Sequence, residues 1–185
     1  MAVSKQALER LTDTQLVTLA KHQLPHATDA YEALIQRHNK VLSGVCYHLC
    51  PTPESAEDAL QDVLIRIFHH LPKFRGEAAF STWIYRIAYN QCMDLLRRAR
   101  DEETFDIDLH DHAVEGECAL PGDQFARLIS SLKPEERSIL TLRLVSELEF
   151  QEIADITGDK LSTVKMRYQR SVEKLRKQSE ETGYP

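Results

Sequence analysis

An acidic segment divides this chain. Residues 101–123 contain nine Asp or Glu residues and neither Lys nor Arg, and Pro121 and Gly122 near the end favour a turn. Like charges repel each other, and such a segment has little apolar surface to bury, so we expect an extended flexible linker. The fold must therefore be built from two shorter units, which we predict to be residues 1–100 and 124–185.

Both units are predicted to be helical. The chain has only six glycines, and its apolar residues recur at steps of three and four, the spacing of one helix face. Segments around Pro25, Pro51 and Pro72 interrupt this pattern. The expected helices cover residues 14–21, 28–50, 53–70, 80–98, 124–131, 134–146, 149–157 and 162–178. We therefore predict an all-α fold of two small helical domains.

The net charge hides how the charges are distributed. A net charge of −6 argues, taken alone, against binding to nucleic acid, but the acidic segment carries −9 and the remaining residues +3. The positive charge is concentrated in residues 73–100 and 160–177, at the end of each unit. The structural alternative is an ordinary solvated face, because the helix dipole also favours Lys and Arg near helix C-termini.

Cysteine content and hydropathy indicate the compartment. Four cysteines are too few and too irregularly spaced for a disulfide-stabilised secreted domain. The chain has no run of eighteen apolar residues and no signal-peptide pattern. We expect a soluble cytoplasmic protein.

Residues 149–178 have the pattern of a helix-turn-helix. A short helix with Ile153 and Ala154 on its inner side ends at Gly158, and a longer basic helix follows. The longer helix is predicted to pack through an apolar stripe of Leu161, Val164, Tyr168, Val172 and Leu175. Its opposite face carries Lys165, Arg167 and Arg170. Such a division suits a recognition helix in the major groove, and a helical protein-interaction domain is the alternative.

Two helices of the first unit carry further candidate surfaces. The helix over residues 80–98 has a polar face of Thr82, Arg86, Asn90, Asp94 and Arg97. The rings of Trp83, Tyr85 and Tyr89 flank this face and suit stacking on unpaired bases, although Phe80 and Trp83 also fit a core. The helix over residues 53–70 carries Glu54, Glu57, Asp58 and Asp62. These carboxylates favour the helix dipole, or they form a negative patch for a positively charged partner protein.

Together these segments resemble the extracytoplasmic-function (group IV) sigma factors of the sigma-70 family, the promoter-specificity subunits of bacterial RNA polymerase. Residues 30–34 and 55–63 are similar to the first parts of the family's domain two. Residues 74–98 resemble its promoter-melting and −10 regions, and the segment from residue 132 onward resembles domain four. The resemblance covers essentially the whole chain, and the acidic segment stands where housekeeping sigma factors have a further domain.

The resemblance implies a role for each surface. The residues that would grip the clamp helices of the polymerase β′ subunit are Glu57, Asp58, Gln61 and Asp62. The residues that would melt and read the −10 element are Lys73, Phe80, Ser81, Thr82, Trp83, Arg86, Asn90, Asp94, Arg97 and Arg98. Within this set, the loop from Lys73 to Thr82 would hold an extruded base. The residues that would contact the −35 element are Gln151, Ser162, Thr163, Lys165, Arg167 and Arg170.

The resemblance also implies the partners. They are core RNA polymerase, through its β′ and β subunits, promoter DNA and an anti-sigma factor. We expect no catalytic activity, no cofactor and no small-molecule substrate, because the sequence has no nucleophile–base set and no phosphate-binding glycine loop. The chain departs from the family at residues 160–164, where the usual Ser-x-Gly-Thr-Val is absent. Asp159 and Ser162 are therefore alternative N-caps, and the base-reading register is open by one position.

Two other functions stay open. A helix-turn-helix regulator that binds duplex DNA without polymerase would share the second unit, but it has no use for the polar and aromatic face of residues 80–98. A metal-dependent enzyme or sensor is suggested by Cys46, His48 and Cys50. On a helix His48 points about 200° away from the two cysteines, so we expect no metal site there. The cysteines are predicted to pack as small apolar groups.

Overall fold

The computed structural model describes residues 5–103 and 124–181. All regular secondary structure in these two ranges is helical, which confirms the predicted all-α fold. The helices are α1 (Lys5–Glu9), α2 (Asp13–Gln23), α3 (Asp29–Leu49), α4 (Pro53–His70), α5 (Phe80–Glu103), α6 (Gln124–Ile129), α7 (Pro134–Leu144), α8 (Phe150–Thr157) and α9 (Leu161–Glu181). A 3-10 turn over Leu71–Lys73 follows α4.

Two differences from the predicted helices exceed three residues. The short helix α1 was not predicted, because it has five residues and buries a single leucine, Leu8. Helix α5 continues to Glu103, three residues into the segment predicted to be a linker. The rest of the predicted linker, residues 104–123, lies outside the described residues.

Local capping explains where α2 and α4 begin. At α2 the Thr12 hydroxyl accepts from the Gln15 N–H at 3.3 Å, and the Gln15 side chain accepts from the Thr12 N–H at 2.8 Å. At α4 the Thr52 hydroxyl accepts from the Ser55 N–H at 3.1 Å, and Pro53 occupies the first turn, where no N–H donor is needed. The residues just before α2 and α4 therefore determine where these two helices begin.

Helices α1 to α5 form an N-terminal bundle in which α3 is central. Helix α3 packs against α2, α4 and α5, and α4 packs against α5. The fully buried side chains of this bundle include Leu16, Leu34, Leu42, Leu49, Ile67 and Ile84. The packing leaves one face of α4 and one face of α5 at the bundle surface.

A charged network holds α2, α3 and α5 together. The Asp13 carboxylate accepts from Arg37 at 2.9 Å and lies 2.7 Å from His38 Nε2. Burial alone raises the pKa of Asp13, but the hydrogen bonds from Arg37 and His38 outweigh it, and the net pKa is lowered. The other ring nitrogen of His38 lies 3.4 Å from the Tyr85 hydroxyl, and burial raises the pKa of Tyr85 to about 12. This network fixes the start of α5 on the bundle.

Helices α6 to α9 form a C-terminal bundle. Gly158 ends α8 at φ +75°, a left-handed conformation that glycine adopts without steric cost, and this turn leads towards α9. Ile153, Ala154 and Val164 are buried as predicted. Val172, predicted to belong to the apolar stripe of α9, is instead 43% exposed, because the neighbouring Ser171 takes the inward position and donates to the Arg167 carbonyl.

The two bundles pack against each other, which the sequence did not predict. Helix α7 packs on α3, and α8 packs on α5, so that one hydrophobic core runs through both bundles. A Cβ atom on Gly44 would lie 2.9 Å from Val145 Cγ1, so α3 and the end of α7 approach closely only because residue 44 is a glycine. His48 meets Phe125 edge to face, with ring centroids 4.9 Å apart.

A bilayer crossing needs a long apolar helix. None of the helices in residues 5–103 and 124–181 combines that length with that apolar character.

Candidate nucleic-acid and partner interfaces

An acidic surface lies on the outer side of α4. Ala56, Ala59, Val63 and Ile67 face the bundle core, and this orientation turns the predicted partner-binding residues outward. Those residues are exposed: Glu57, Asp58, Gln61 and Asp62. None of the three carboxylates forms an ion pair with a described cation, so the surface keeps its negative charge. Ile65, which sequence reasoning missed, lies on the same side of α4 and is 55% exposed.

Asp62 on this surface accepts a hydrogen bond from a buried side chain. Gln91 of α5 donates from Nε2 to Asp62 Oδ2 at 2.7 Å. Gln91 is only 4% exposed. Gln91 lies at helical spacing from Ile84 and Ala88 on the apolar face of α5, and a glutamine in that face is the sequence signal that could have indicated this contact.

The loop before α5 forms a groove against α2. The groove has a volume of about 690 Å³, and its lining includes Thr14, Lys21, Phe74 and Ser81. Lys21 Nζ donates to the Phe74 carbonyl at 2.7 Å, which ties the loop to α2. Gly76 has φ +75°, a left-handed turn that a side chain would strain. The loop is thus tied to α2 at Phe74 and turned at Gly76.

Aromatic rings gather beside this loop. The ring centroid of Trp83 lies 4.9 Å from that of Phe74 and 5.8 Å from that of Phe80. Phe80 is buried, as its core alternative predicts, whereas Trp83 is half-buried and Lys73 is exposed. Phe74, Phe80 and Trp83 therefore form a partly open aromatic wall beside the groove, and the Lys73 ammonium group is a neighbouring cation.

The polar face of α5 is divided into a covered part and an open part. Thr82 is 4% exposed, and its hydroxyl donates to Glu152 of α8 at 2.6 Å. Arg86 donates to the Asp155 carbonyl at 3.1 Å. Burial raises the pKa of Tyr89, to which Ser138 of α7 is hydrogen-bonded. The C-terminal bundle therefore covers Thr82 and holds Arg86 by a hydrogen bond, although the Arg86 side chain stays exposed.

The open part lies further along α5. Asn90, Arg97 and Arg98 are exposed, and Asp94 is half-buried. Arg97 pairs with Asp94 at 3.0 Å. The structure therefore brings the groove, the aromatic wall and the polar face onto one side of α5 but exposes only some of the predicted residues.

The predicted recognition helix α9 presents most of its polar residues. Lys165, Arg170 and Ser162 are exposed, and Thr163 is half-buried. Gln151 of α8 is also exposed and donates to Asp155 Oδ1 at 3.1 Å. Arg167 differs from the prediction, because it pairs with Asp159 and is turned partly inward. Lys165 and Arg170 are thus the free cations of this surface in the described part of the chain.

Neither of the two predicted N-caps begins α9. The helix starts at Leu161, and the Lys160 carbonyl accepts the first intrahelical bond, from the Val164 N–H at 3.0 Å. Ser162 lies inside the helix, and Asp159 is engaged with Arg167.

The cysteines form a buried thiol cluster. Cys46, Cys50 and Cys92 are all buried, and the sulfur atoms of Cys50 and Cys92 lie 3.5 Å apart. Hydrogen bonds with Cys46 and Cys50, together with burial, raise the pKa of Cys92, which keeps its thiol neutral. His48 lies on another side of α3 against Phe125. No group of three or more His, Cys, Asp and Glu side chains in the described ranges is arranged to hold a metal ion.

Two family models match the chain. The model for Sigma-70 region 2 matches residues 34–102, and the model for Sigma-70 region 4 matches residues 122–175. Together they span about two thirds of the chain. The first range ends within α5 and the second reaches into α9, so the matches include the acidic surface, the polar face and the helix-turn-helix.

Curated relatives match over most of their length. The ECF RNA polymerase sigma factor SigW of Bacillus subtilis is 28% identical over 166 residues, which cover 81% of this chain and 89% of that protein. The ECF RNA polymerase sigma-E factor of Haemophilus influenzae is 28% identical over 183 residues, which cover 90% of this chain and 95% of that protein.

Two solved structures share the fold. One is CnrH in complex with the cytosolic domain of CnrY, with a TM-score of 0.67, 22% identity and coverage of 91% of this chain and 97% of the other. The second is the sigma factor RpoE in complex with the anti-sigma factor NepR from Bartonella quintana, with a TM-score of 0.67, 20% identity and coverage of 82% and 96%.

Proposed function

The chain belongs to the extracytoplasmic-function sigma factors of the sigma-70 family, and from this membership we infer that it is an alternative sigma factor. It binds core RNA polymerase, recognises the −35 and −10 promoter elements and promotes DNA opening. Like the rest of its family it is a specificity subunit and not an enzyme. The observation that carries this conclusion is the match of both sigma regions, in family order, to the two bundles of one chain.

The alternative function, a helix-turn-helix regulator that acts without polymerase, is not favoured. It would account for α8 and α9 alone. It leaves unexplained the exposed carboxylates of α4 and the groove and aromatic wall beside α5.

We propose that core polymerase binds the acidic surface of α4. Glu57, Asp58, Gln61 and Asp62 are exposed, and the carboxylates keep an uncompensated negative charge, which suits a basic partner. The exposed Ile65 supplies an apolar contact beside them. A charged rim around an apolar centre is typical of protein interfaces.

We propose that α5 and the loop before it read the −10 element as single-stranded DNA. The groove beside Phe74 offers space for an extruded base, and Trp83 offers a ring for stacking. Lys73, Asn90, Arg97 and Arg98 are exposed along the path of the strand. Phe80 supports this wall from the core, and Ser81 lines the groove.

Access to Thr82, in the first turn of α5, requires the two bundles to separate. The Thr82 hydroxyl is buried against Glu152, so a DNA strand reaches it only after this contact breaks, whereas Arg86 is exposed and has only its hydrogen bond to the Asp155 carbonyl to exchange. We propose that binding of core polymerase to the chain supplies the free energy for this separation. The −35 contacts on α9 need no such step.

The remaining partners follow from the same proposal. An anti-sigma factor is a partner, as for the sigma factor RpoE, whose structure was solved with the anti-sigma factor NepR. We place the chain in the cytoplasm, where core polymerase and promoters are found. We propose domain boundaries at residues 1–100 for the polymerase-binding and −10 domain, 101–123 for the linker and 124–185 for the −35 domain.

The test uses the full chain, purified bacterial core polymerase and a library of promoter fragments. We expect a stable complex with core polymerase and run-off transcripts that depend on the chain. Asp58→Lys should weaken the complex with core polymerase, whereas the matched control Glu9→Lys, on the exposed side of α1, should not. Duplex DNA binding without any complex with core polymerase would instead support the regulator.

A further inference from the structure

Gln91 is a buried amide that connects the two functional helices of the N-terminal bundle. It lies on the inner side of α5, one residue after the exposed Asn90. Its Nε2 donates to Asp62 Oδ2 at 2.7 Å, and Asp62 lies on the acidic surface of α4. A single hydrogen bond thus runs from the interior of the bundle to the surface proposed for polymerase.

The other end of this amide has no partner. Gln91 Oε1 is buried and accepts no hydrogen bond from any described residue. A buried acceptor without a donor destabilises a fold, and an apolar side chain of similar size avoids that loss. The Asp62 carboxylate, in contrast, is exposed to water and does not need Gln91 for its solvation. Stability therefore does not explain a glutamine at this position.

We propose that Gln91 is a positioning residue for polymerase binding, one that holds the Asp62 carboxylate ready for its partner. The bond to Gln91 engages Oδ2 and leaves Oδ1 available for a cation of the partner protein. A side chain that is ordered before binding loses less rotamer freedom when the complex forms. This inference rests on the proposed binding of core polymerase to α4.

The first test is the substitution Gln91→Leu in the full chain. We expect the melting temperature to stay the same or to rise, because the unpaired buried acceptor is removed. Affinity for core polymerase, measured by fluorescence anisotropy of the labelled chain, should fall about five- to tenfold because Asp62 loses its orientation. If Gln91 acted only through the stability of the bundle, the affinity for core polymerase would change in the same direction as the melting temperature. Gln91→Met is a second variant of similar volume.

The second test is a double-mutant cycle with Asp62→Ala. If Gln91 acts through Asp62, then Gln91→Leu causes no further loss of core affinity once Asp62 is alanine. The matched control is Gln23→Leu. Gln23 is a half-buried glutamine whose Oε1 accepts from the Ala30 N–H at 3.2 Å, away from α4. This control should lower the melting temperature and leave core affinity unchanged.

The outcomes separate this inference from the proposed function. Unchanged core affinity in Gln91→Leu and Gln91→Met, or equal losses with and without Asp62, would overturn the positioning role while the sigma-factor function stands. Absence of any complex between the wild-type chain and core polymerase would overturn the proposed function, and this inference with it.

Discussion

The two candidate DNA-binding helices differ in how much of their surface is available. On α9 the side chains of Lys165 and Arg170 are exposed. On α5 the Thr82 hydroxyl is bonded to Glu152, and Arg86 donates to a carbonyl of α8. The helix that covers α5 is the one that directly precedes α9. The same bundle therefore presents one candidate DNA surface and covers the start of the other at Thr82.

If α5 and α9 bind promoter DNA as proposed, this difference predicts an order of binding. Duplex contacts through Lys165 and Arg170 of α9 would require no rearrangement, whereas a strand contact with Thr82 of α5 would require the bundles to part. The contacts that must break include the close packing of Gly44 on Val145 and the Thr82–Glu152 hydrogen bond. A chain alone is thus expected to bind duplex DNA more readily than the opened −10 strand.

The largest expected effect concerns α9, whose side chains Lys165 and Arg170 are exposed. Replacing Lys165 and Arg170 together by glutamate reverses two exposed charges, and we expect affinity for duplex promoter DNA to fall about a hundredfold at low salt. Fluorescence anisotropy over a salt series measures this. The control Lys40→Glu with Arg127→Glu makes the same change in net charge away from α9. Equal losses in both pairs would mean that α9 is not the duplex-binding surface.

The second prediction concerns the packing of the C-terminal bundle on the N-terminal bundle, which covers the start of α5. Gly44→Leu places a side chain where even a Cβ would lie 2.9 Å from Val145, so the bundles should separate while α3 stays helical. We expect a larger radius of gyration by X-ray scattering and about tenfold tighter binding of single-stranded −10 DNA by the free chain. Adding Val145→Ala should restore part of the compact form. A compact Gly44→Leu chain with unchanged DNA binding would refute the covering role.

The third prediction concerns one hydrogen bond between the two bundles, from Thr82 to Glu152. Thr82→Val keeps the shape of the side chain and removes the donor to Glu152, and we expect the open population to rise about fivefold. Energy transfer between dyes on the two bundles reports that population. Thr18→Val is the matched control, since the Thr18 hydroxyl donates only to the Thr14 carbonyl within α2. An unchanged population in Thr82→Val would show that apolar packing alone holds the bundles together.

The smallest expected effect concerns Arg167, a predicted −35 contact on α9 that already forms an ion pair. Asp159→Asn removes the ion pair with Arg167 and frees this side chain for DNA. Partly exposed ion pairs contribute little, so we expect duplex affinity to rise only about twofold. Anisotropy at two salt concentrations checks this, and a loss of affinity would mean that Asp159 positions α9 rather than restraining Arg167.

Much of the architecture could be predicted because helix signals are local. The three- and four-residue steps of apolar residues, the proline interruptions and Gly158 place the helices within a few residues. The same periodicity predicted that Glu57, Asp58 and Asp62 lie on the outer face of α4 and Lys165 and Arg170 on the outer face of α9, and all five are exposed. The periodicity was wrong for Val172, because the neighbouring Ser171 takes the inward position. The N-cap of α9, predicted from the departure at residues 160–164 to be Asp159 or Ser162, is neither, because α9 begins at Leu161.

The helices, their faces and the two basic stretches could be predicted from the amino-acid sequence, because they follow from the order of residues within one or two turns. The contacts of Thr82 with Glu152, of Gly44 with Val145 and of Gln91 with Asp62 could not be predicted in this way. These contacts join residues 29 to 101 positions apart. They depend on how formed helices fit together in three dimensions, and no local pattern of side chains specifies that fit.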